Sequence, residues 1–139
     1  MEEENEVFRP LFIENLKRYK DENIIKILYG VRRCGKSTIL KAYKTNLLAM
    51  GVKAENIIER KYTSMEYQDD FDSKSMYDDL ISAIKNADKN QKVYLLLDEV
   101  QEVQNWEKCI NSLFESHNAD IYVTGSNSKL LSSEISTYL

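Results

Sequence analysis

Residues 24–38 read IIKILYGVRRCGKST, and this stretch decides the fold. From Gly30 to Thr38 it matches the phosphate-binding pattern G-x-x-x-x-G-K-[ST] at every required position. In this pattern the glycines let successive backbone N–H groups point at one anion. Lys36 reaches the terminal phosphates, and the Ser37 hydroxyl coordinates Mg²⁺. The apolar run at 24–29 predicts a strand before the loop, and the amphipathic residues after it predict a helix whose N-terminus faces the phosphates. The stretch therefore predicts a nucleotide-binding loop.

The residues expected to contact the nucleotide within this loop follow one another without a gap. They are Gly30, Val31, Arg32, Arg33, Cys34, Gly35, Lys36, Ser37 and Thr38. Solvated charge is the alternative role for the two arginines, and a small side chain in a tight loop is the alternative to a reactive thiol at Cys34.

Strand and helix patterns alternate along the rest of the chain, which predicts an α/β fold with a mainly parallel sheet. The helix after the loop has an apolar face of Leu40, Tyr43 and Leu47, and Gly51 stands where a helix-ending residue is expected. Asp72 or Ser73 is expected to cap a later helix. Residues 1–7 are expected to be disordered. Strands are predicted at 24–29, 57–62, 93–97 and 121–124, and helices at 10–21, 36–50, 73–86, 105–116 and 132–139.

The composition limits the classes of partner. The 139 residues suffice for one domain, and their net charge of -4 argues against a broad electrostatic surface for nucleic acid, although a local basic patch stays open. Two cysteines do not form a disulfide framework, and no run approaches the roughly 18 apolar residues of a membrane span. We therefore expect a cytoplasmic protein without a membrane partner.

Two acids follow the apolar run Val93 to Leu97, which reads as a strand covered on both faces. Asp98 is placed to act on the Mg²⁺ side of a phosphate loop. Glu99 is placed to accept a proton from, or to orient, the water that attacks the γ-phosphate. The alternative is that Glu99 caps the turn that follows. The separation between Gly30 and Asp98 leaves room for a helix, a strand and a second helix, so the two motif strands are not expected to be neighbours.

The fourth predicted strand ends in the polar run Thr124-Gly125-Ser126-Asn127-Ser128. Polar side chains at the carboxyl edge of a strand between the two motif strands would face the γ-phosphate or the attacking water. Ser126 or Asn127 can thus sense whether that phosphate is present, whereas a simple turn role is the alternative for Asn127.

Two further features have residue types found in binding sites. The segment 66–79 holds six carboxylates but lacks the glycine and closing glutamate of a calcium loop, so a solvated loop is preferred there. Trp106 could stack on a nucleic-acid base, but packing against the sheet is preferred.

Taken together, GVRRCGKST, YLLLDEVQ, NWEK and YVTGSNSKLL resemble the prokaryotic AAA+-type predicted ATPases, in which an ATPase domain precedes a C-terminal domain of uncharacterised role. The resemblance covers the chain from about residue 8 onward. It implies a three-layer P-loop fold of the additional-strand type, with ATP and Mg²⁺ as cofactors. It also implies that Lys36 binds phosphate, that Ser37 and Asp98 hold the metal, that Glu99 is the catalytic acid, and that Ser126 with Asn127 occupies the first-sensor position.

Members of this family continue beyond the sensor strand, through a fifth strand and a further domain. The resemblance thus implies that the chain is an N-terminal portion that stops before the fifth strand and lacks an arginine finger, which makes hydrolysis slow. The missing strand would leave residues 24–29 as an exposed apolar edge, so self-association through that edge, or poor solubility, is expected.

Three function classes follow from these patterns. The leading one is an ATPase that holds Mg²⁺–ATP and activates water through Glu99. The alternative is a non-catalytic, nucleotide-dependent switch or interaction module, with a protein or nucleic-acid partner left open. A small-molecule kinase is the weakest, because no lid-type arginine cluster is visible.

Overall fold

The architecture is taken from a computed structural model, which describes residues 25–29, 36–67, 69–117, 119–125 and 137–138. Tyr29, Lys36, Ser37, Thr137 and Tyr138 are described by their backbone alone. The predicted disorder at 1–7 and the predicted helix at 10–21 lie outside the described residues.

Strands and helices alternate in the predicted order, with bounds close to those expected. None of the helices described is both long and apolar enough to cross a membrane. The elements are β1 (Lys26–Tyr29), α1 (Lys36–Ala49), β2 (Ile57–Lys61), α2 (Ser73–Lys85), β3 (Val93–Asp98), α3 (Trp106–Ser116), β4 (Ala119–Gly125) and β5 (Thr137–Tyr138).

The sheet has the order β2-β3-β4-β1-β5, and every strand pair in it is parallel. β4 therefore lies between β1, which leads into the phosphate loop, and β3, which ends in Asp98. This arrangement confirms the predicted α/β P-loop fold, in which an additional strand separates the two motif strands.

Alternate residues of the central strands face two different helical layers. Leu95 and Leu97 join the core cluster built on α2 and α3, which includes Met76 and Leu80. Tyr94, Leu96 and Tyr122 join a second cluster, which contains the predicted apolar face of α1, namely Leu40, Tyr43 and Leu47. Because successive strand residues point to opposite faces, one apolar run fills both cores and produces three layers.

Local signals begin and end the helices where the sequence predicts. After α1, Gly51 adopts φ +95, the N–H of Val52 donates to the Leu47 carbonyl over 3.1 Å, and the N–H of Gly51 donates to Leu48. This pair of bonds is the Schellman motif, which requires a left-handed residue after the helix. At the start of α2 an Asp72 side-chain oxygen accepts from the N–H of Ser75 over 3.0 Å, which confirms the predicted cap.

Two predictions for the end of the chain are wrong, namely the helix at Thr137 and Tyr138 and the stop before a fifth strand, while the lack of an arginine finger and of a further domain stays a prediction. Thr137 and Tyr138 form β5 rather than part of a helix, so the fifth strand is not missing. β5 pairs with Lys26 and Ile27 of β1, and the side chains from Ile25 to Leu28 are at most 1% exposed. β1 thus has a strand on both sides at Lys26 and Ile27, and the exposed edge expected to cause self-association does not exist at these two residues.

Candidate functional site

The carboxyl ends of β1, β3 and β4 meet at one edge of the sheet because all three strands run parallel. In register, Leu28 lies beside Thr124, and Tyr29 lies beside Gly125. On the other side of β4, Leu97 pairs with Val123, which places Asp98 one residue beyond the last β3–β4 pair. The phosphate-loop strand and the acid-bearing strand therefore end on either side of the last residues of β4.

The phosphate loop itself is only partly described. The residues from Gly30 to Gly35 lie outside the described part, as do Ser126 and Asn127, so their predicted contacts stay predictions. α1 begins at Lys36, directly after the loop, and Thr38 is exposed in its first turn. The strand, loop and helix order needed for a phosphate site is therefore present, with the start of α1 next to the loop.

Asp98 is held at the end of β3 with little exposure. Its side chain is 5% exposed, and its Oδ1 accepts a hydrogen bond from the hydroxyl of Thr124. The Asp98 carbonyl accepts from the N–H of Tyr62 over 3.1 Å, which continues the pairing of β3 with the end of β2. The carboxylate thus has a fixed position at the sheet edge.

Glu99 leaves the strand through a left-handed backbone conformation, with φ 56 and ψ 54. A non-glycine residue in this region stores strain of about 1–3 kcal/mol, which is typical of functional sites. The N–H of Glu99 donates to the Thr124 hydroxyl over 2.9 Å, and Oε2 of Glu99 accepts from the side-chain amide of Gln101. Glu99 precedes the 3₁₀ turn Val100–Glu102 but makes no side-chain capping bond to it. Glu99 therefore caps this turn through its carbonyl, which accepts from the N–H of Glu102 over 3.2 Å, and not through its side chain.

Thr124 and Gln101 are the two residues of this network that the sequence patterns did not single out. Thr124 is fully buried, whereas Gln101 is half-buried and its Oε1 has no hydrogen-bond partner among the described residues. The only sequence signal for Thr124 is its polar character at the end of an apolar strand. Its contact with both acids depends on the β3–β4 register, which a single sequence does not show.

A cleft of about 880 Å³ opens beside Asp98 and is lined in part by α1, β2 and α2. Its volume falls in the range of about 300–1,000 Å³ common for small-molecule sites. Thr38, Lys41 and Lys61 line it and are exposed. Four carboxylates line it as well, those of Glu59, Glu66, Asp79 and Asp98, so the cleft carries charges of both signs.

Arg60 lines the same cleft but is engaged with Asp79. Its Nε donates to one carboxylate oxygen over 2.8 Å and a terminal nitrogen donates to the other over 3.3 Å. The hydrogen bond that the Arg60 side chain donates to Asp79 raises the pKa of Arg60, while partial burial opposes this shift. Arg60 is the one arginine of the described residues. The bidentate pair with Asp79 holds its side chain in the lining of the cleft.

The donor set fits a magnesium ion that is bound mainly through a nucleotide. No group of three or more histidine, cysteine, aspartate or glutamate side chains in the described ranges could hold a metal by itself. Mg²⁺ binds through one or two carboxylates, phosphate oxygens and water, and the fixed carboxylate of Asp98 beside the cleft meets that requirement.

The acidic segment and Trp106 take structural roles. Asp72 caps α2 and Asp79 pairs with Arg60, while Asp78 pairs with Lys74 over 3.1 Å. Trp106 is 2% exposed within the core under α3, so the packing interpretation is confirmed and base stacking is excluded.

A buried ion pair that the sequence patterns did not predict lies at the other end of β1. The Lys26 ammonium donates to Oδ1 of Asp120, and both side chains are fully buried. The Tyr122 hydroxyl donates to Oδ2 of Asp120 over 2.6 Å and lies 2.9 Å from the Tyr43 hydroxyl. This network joins β1, β4 and α1, and so supports the strand that carries the loop.

Comparisons with known proteins agree with this geometry. A family described as "AAA domain" matches residues 22–139. An uncharacterised protein of Haemophilus influenzae is 40% identical over 133 residues, which cover 96% of this chain and 33% of that protein. An uncharacterised protein of Methanocaldococcus jannaschii is 36% identical over 122 residues, covering 84% of this chain and 24% of that protein. The chain thus spans a third or less of these two relatives.

A solved structure shares the fold. In the structure of Drosophila ORC bound to AT-rich DNA and Cdc6, one chain matches with a TM-score of 0.56 and 11% identity, covering 98% of this chain and 57% of that one. At this identity the likeness bears on the fold alone. With the family match, it indicates a nucleotide-binding, ATPase-like domain.

Proposed function

Because the chain belongs to the AAA domain family, we propose that it binds ATP with Mg²⁺ at the carboxyl edge of its sheet and hydrolyses it. The observation that carries this proposal is that Asp98 and Glu99 both form a hydrogen bond with the buried hydroxyl of Thr124. Thr124 lies beside the end of β1, the strand that leads into the phosphate loop.

Each residue has a separate task in the proposed reaction. The loop from Gly30 to Gly35 surrounds the phosphates with backbone N–H groups, and Lys36 contacts the terminal phosphates. Ser37 and Asp98 would hold the metal, which would supply positive charge against the phosphates. Glu99 orients the attacking water and accepts its proton.

The sensor residues complete the proposed site. Because β4 ends between the two motif strands, we propose that the next two residues in the sequence, Ser126 and Asn127, detect the γ-phosphate. The preference for adenine comes from the family and can be tested by competition between ATP and GTP.

The second candidate function is a nucleotide-dependent switch that hydrolyses slowly or not at all. One observation favours it: the Gln101 amide already occupies one oxygen of the Glu99 carboxylate. Binding would then order the loop and the sensor segment, and the readout would be assembly with a partner. Turnover distinguishes this candidate from the ATPase.

The test is phosphate release at saturating Mg²⁺–ATP, with nucleotide affinity measured in parallel. Glu99→Gln should bind ATP with unchanged affinity and lose at least about 10²-fold in turnover, since it removes the proton acceptor. Glu102→Gln is the matched control, because the same substitution three residues away lies on an exposed side chain. If the wild type binds ATP but does not turn it over, the switch replaces the ATPase.

Lys36→Ala tests binding itself. It should abolish tight nucleotide binding, whereas Lys44→Ala, two turns further along α1, should not. Retained affinity in Lys36→Ala would remove the proposed site.

A further inference from the structure

We propose that Thr124 is a positioning residue, which sets both the metal-binding carboxylate of Asp98 and the backbone of Glu99 through one hydroxyl group. This inference rests on the proposed function, since it assigns Thr124 to the same site. It adds a residue on β4 that lies outside the loop, the acidic pair and the sensor.

The hydrogen bonds of Thr124 have a defined direction. A hydroxyl group has one proton to donate and two lone pairs that accept. The N–H of Glu99 can only donate, so the Thr124 oxygen accepts from it over 2.9 Å, and the hydroxyl proton is directed to Oδ1 of Asp98. The Asp98 side chain therefore acts as an acceptor in this contact, which is the role it would have toward Mg²⁺.

The sheet keeps this hydroxyl in place. Thr124 is fully buried, and in β4 it pairs with Leu28 on one side, while its neighbour Val123 pairs with Leu97 on the other. Its branched side chain has few allowed rotamers in a strand. A threonine between two paired strands is therefore a rigid anchor for groups that lie where β3 has ended.

Glu99 depends on such an anchor because its backbone turns into the left-handed region directly after the strand. The turn takes its N–H out of the β3 ladder, and Thr124 supplies the partner that the ladder no longer offers. One side chain thus couples the orientation of the proposed metal ligand to the direction in which the proposed catalytic acid leaves the sheet.

The test compares Thr124→Val, Thr124→Ser and Tyr122→Phe. Valine keeps the shape and removes the hydroxyl, whereas serine keeps the hydroxyl. Tyr122→Phe is the matched control, because it removes another buried hydroxyl group two residues earlier in β4. This hydroxyl donates to Asp120 and not to Asp98 or Glu99. The readouts are the Mg²⁺ dependence of binding of a fluorescent ATP analogue, direct Mn²⁺ binding by electron paramagnetic resonance, and kcat.

Thr124→Val should weaken the apparent metal affinity of the nucleotide complex about 10- to 100-fold and lower kcat by a similar factor, as substitutions behind metal ligands do. Thr124→Ser should stay within about threefold of the wild type in both, and Tyr122→Phe should lower Tm without changing the Mg²⁺ dependence. If Thr124→Val does not fold, Thr124→Ala replaces it, and the serine rescue is measured in the same way.

Two results would overturn the inference while leaving the proposed function intact. One is an active wild type with Thr124→Val unchanged in metal dependence and kcat. The other is a Thr124→Ser variant as impaired as the valine variant. A wild type that binds nucleotide without regard to Mg²⁺ and does not hydrolyse it would instead overturn the proposed function and this inference with it.

Discussion

The buried pair of Lys26 and Asp120 allows a quantitative prediction about stability. Both side chains have no exposure, and the Asp120 carboxylate also accepts from the Tyr122 hydroxyl over 2.6 Å. Removing one partner of a buried pair takes away the charge that compensates the other, at a cost of about 3–5 kcal/mol. Because domains are stable by about 5–15 kcal/mol in total, either Lys26→Met or Asp120→Asn should be severely destabilising.

A double variant measures the interaction between Lys26 and Asp120 separately from the contribution of each side chain alone. Lys26→Met with Asp120→Asn removes both charges and keeps similar volumes, and the asparagine oxygen still accepts from Tyr122. Replacing a whole buried pair is often close to neutral, so the double variant should lose at least about 2 kcal/mol less than the sum of the single losses. The control is Asp78→Asn, which breaks the exposed pair with Lys74 and should cost at most about 0.5 kcal/mol.

The assay is urea unfolding followed by circular dichroism, with the slope against urea compared among variants to confirm a two-state transition. A loss below about 1 kcal/mol in Asp120→Asn would show that the pair is not desolvated as the structure has it. Single effects that add within about 0.5 kcal/mol would show that the two charges do not interact.

Three further predictions concern the scaffold. Asn56→Ala should lower the free energy of unfolding in urea by about 2–4 kcal/mol, because the buried Asn56 side chain donates to the Asp88 carbonyl and accepts from the Asp88 N–H, both at 2.9 Å. A change below about 1 kcal/mol would contradict this prediction. Burial raises the pKa of Cys109 to about 12. Alkylation of this thiol near pH 8, followed by mass spectrometry, should therefore be roughly 10³-fold slower in the folded than in the unfolded chain. Equal rates would refute the burial of Cys109. The hydrogen bond from the backbone N–H of Ser75 lowers the pKa of Asp72, so its stabilising effect is full above the ordinary carboxyl pKa and is lost as pH falls through the lowered value. The Tm deficit of Asp72→Ala should therefore shrink on acidification from about pH 6 to pH 3, and a constant deficit would exclude the charged cap.

Local features of the fold were predictable because their causes lie within a few residues. The apolar spacing of Leu40, Tyr43 and Leu47 identified the buried face of α1, and Gly51 identified its end. Asp72 was recognised as a cap for the same reason, since its partner is three residues away. The helix predicted at 132–139 was wrong at Thr137 and Tyr138, because the strand there depends on pairing with β1, which lies far away in the sequence.

The candidate site was predictable in part. Asp98 and Glu99 were recognised because two acids follow an apolar strand, and the structure places them at the same edge as the end of β1. The left-handed turn at Glu99 and its contact with Gln101 have no comparable signal, because a single chain does not show which side chains meet after a strand ends. The assignments of Ser126 and Asn127 stay predictions.

The sequence by itself determined the order of the elements, the position of the phosphate loop before α1 and the two acids after β3, because spacing and residue type express these features directly. Only the tertiary structure decided that β5 lies beside β1, that Lys26 meets Asp120, and that Thr124 joins Asp98 to Glu99. Each of these contacts joins residues far apart in the chain, and each is created by strand register. Register is set by the packing of the whole sheet, where a shift of one residue would turn every side chain to the opposite face.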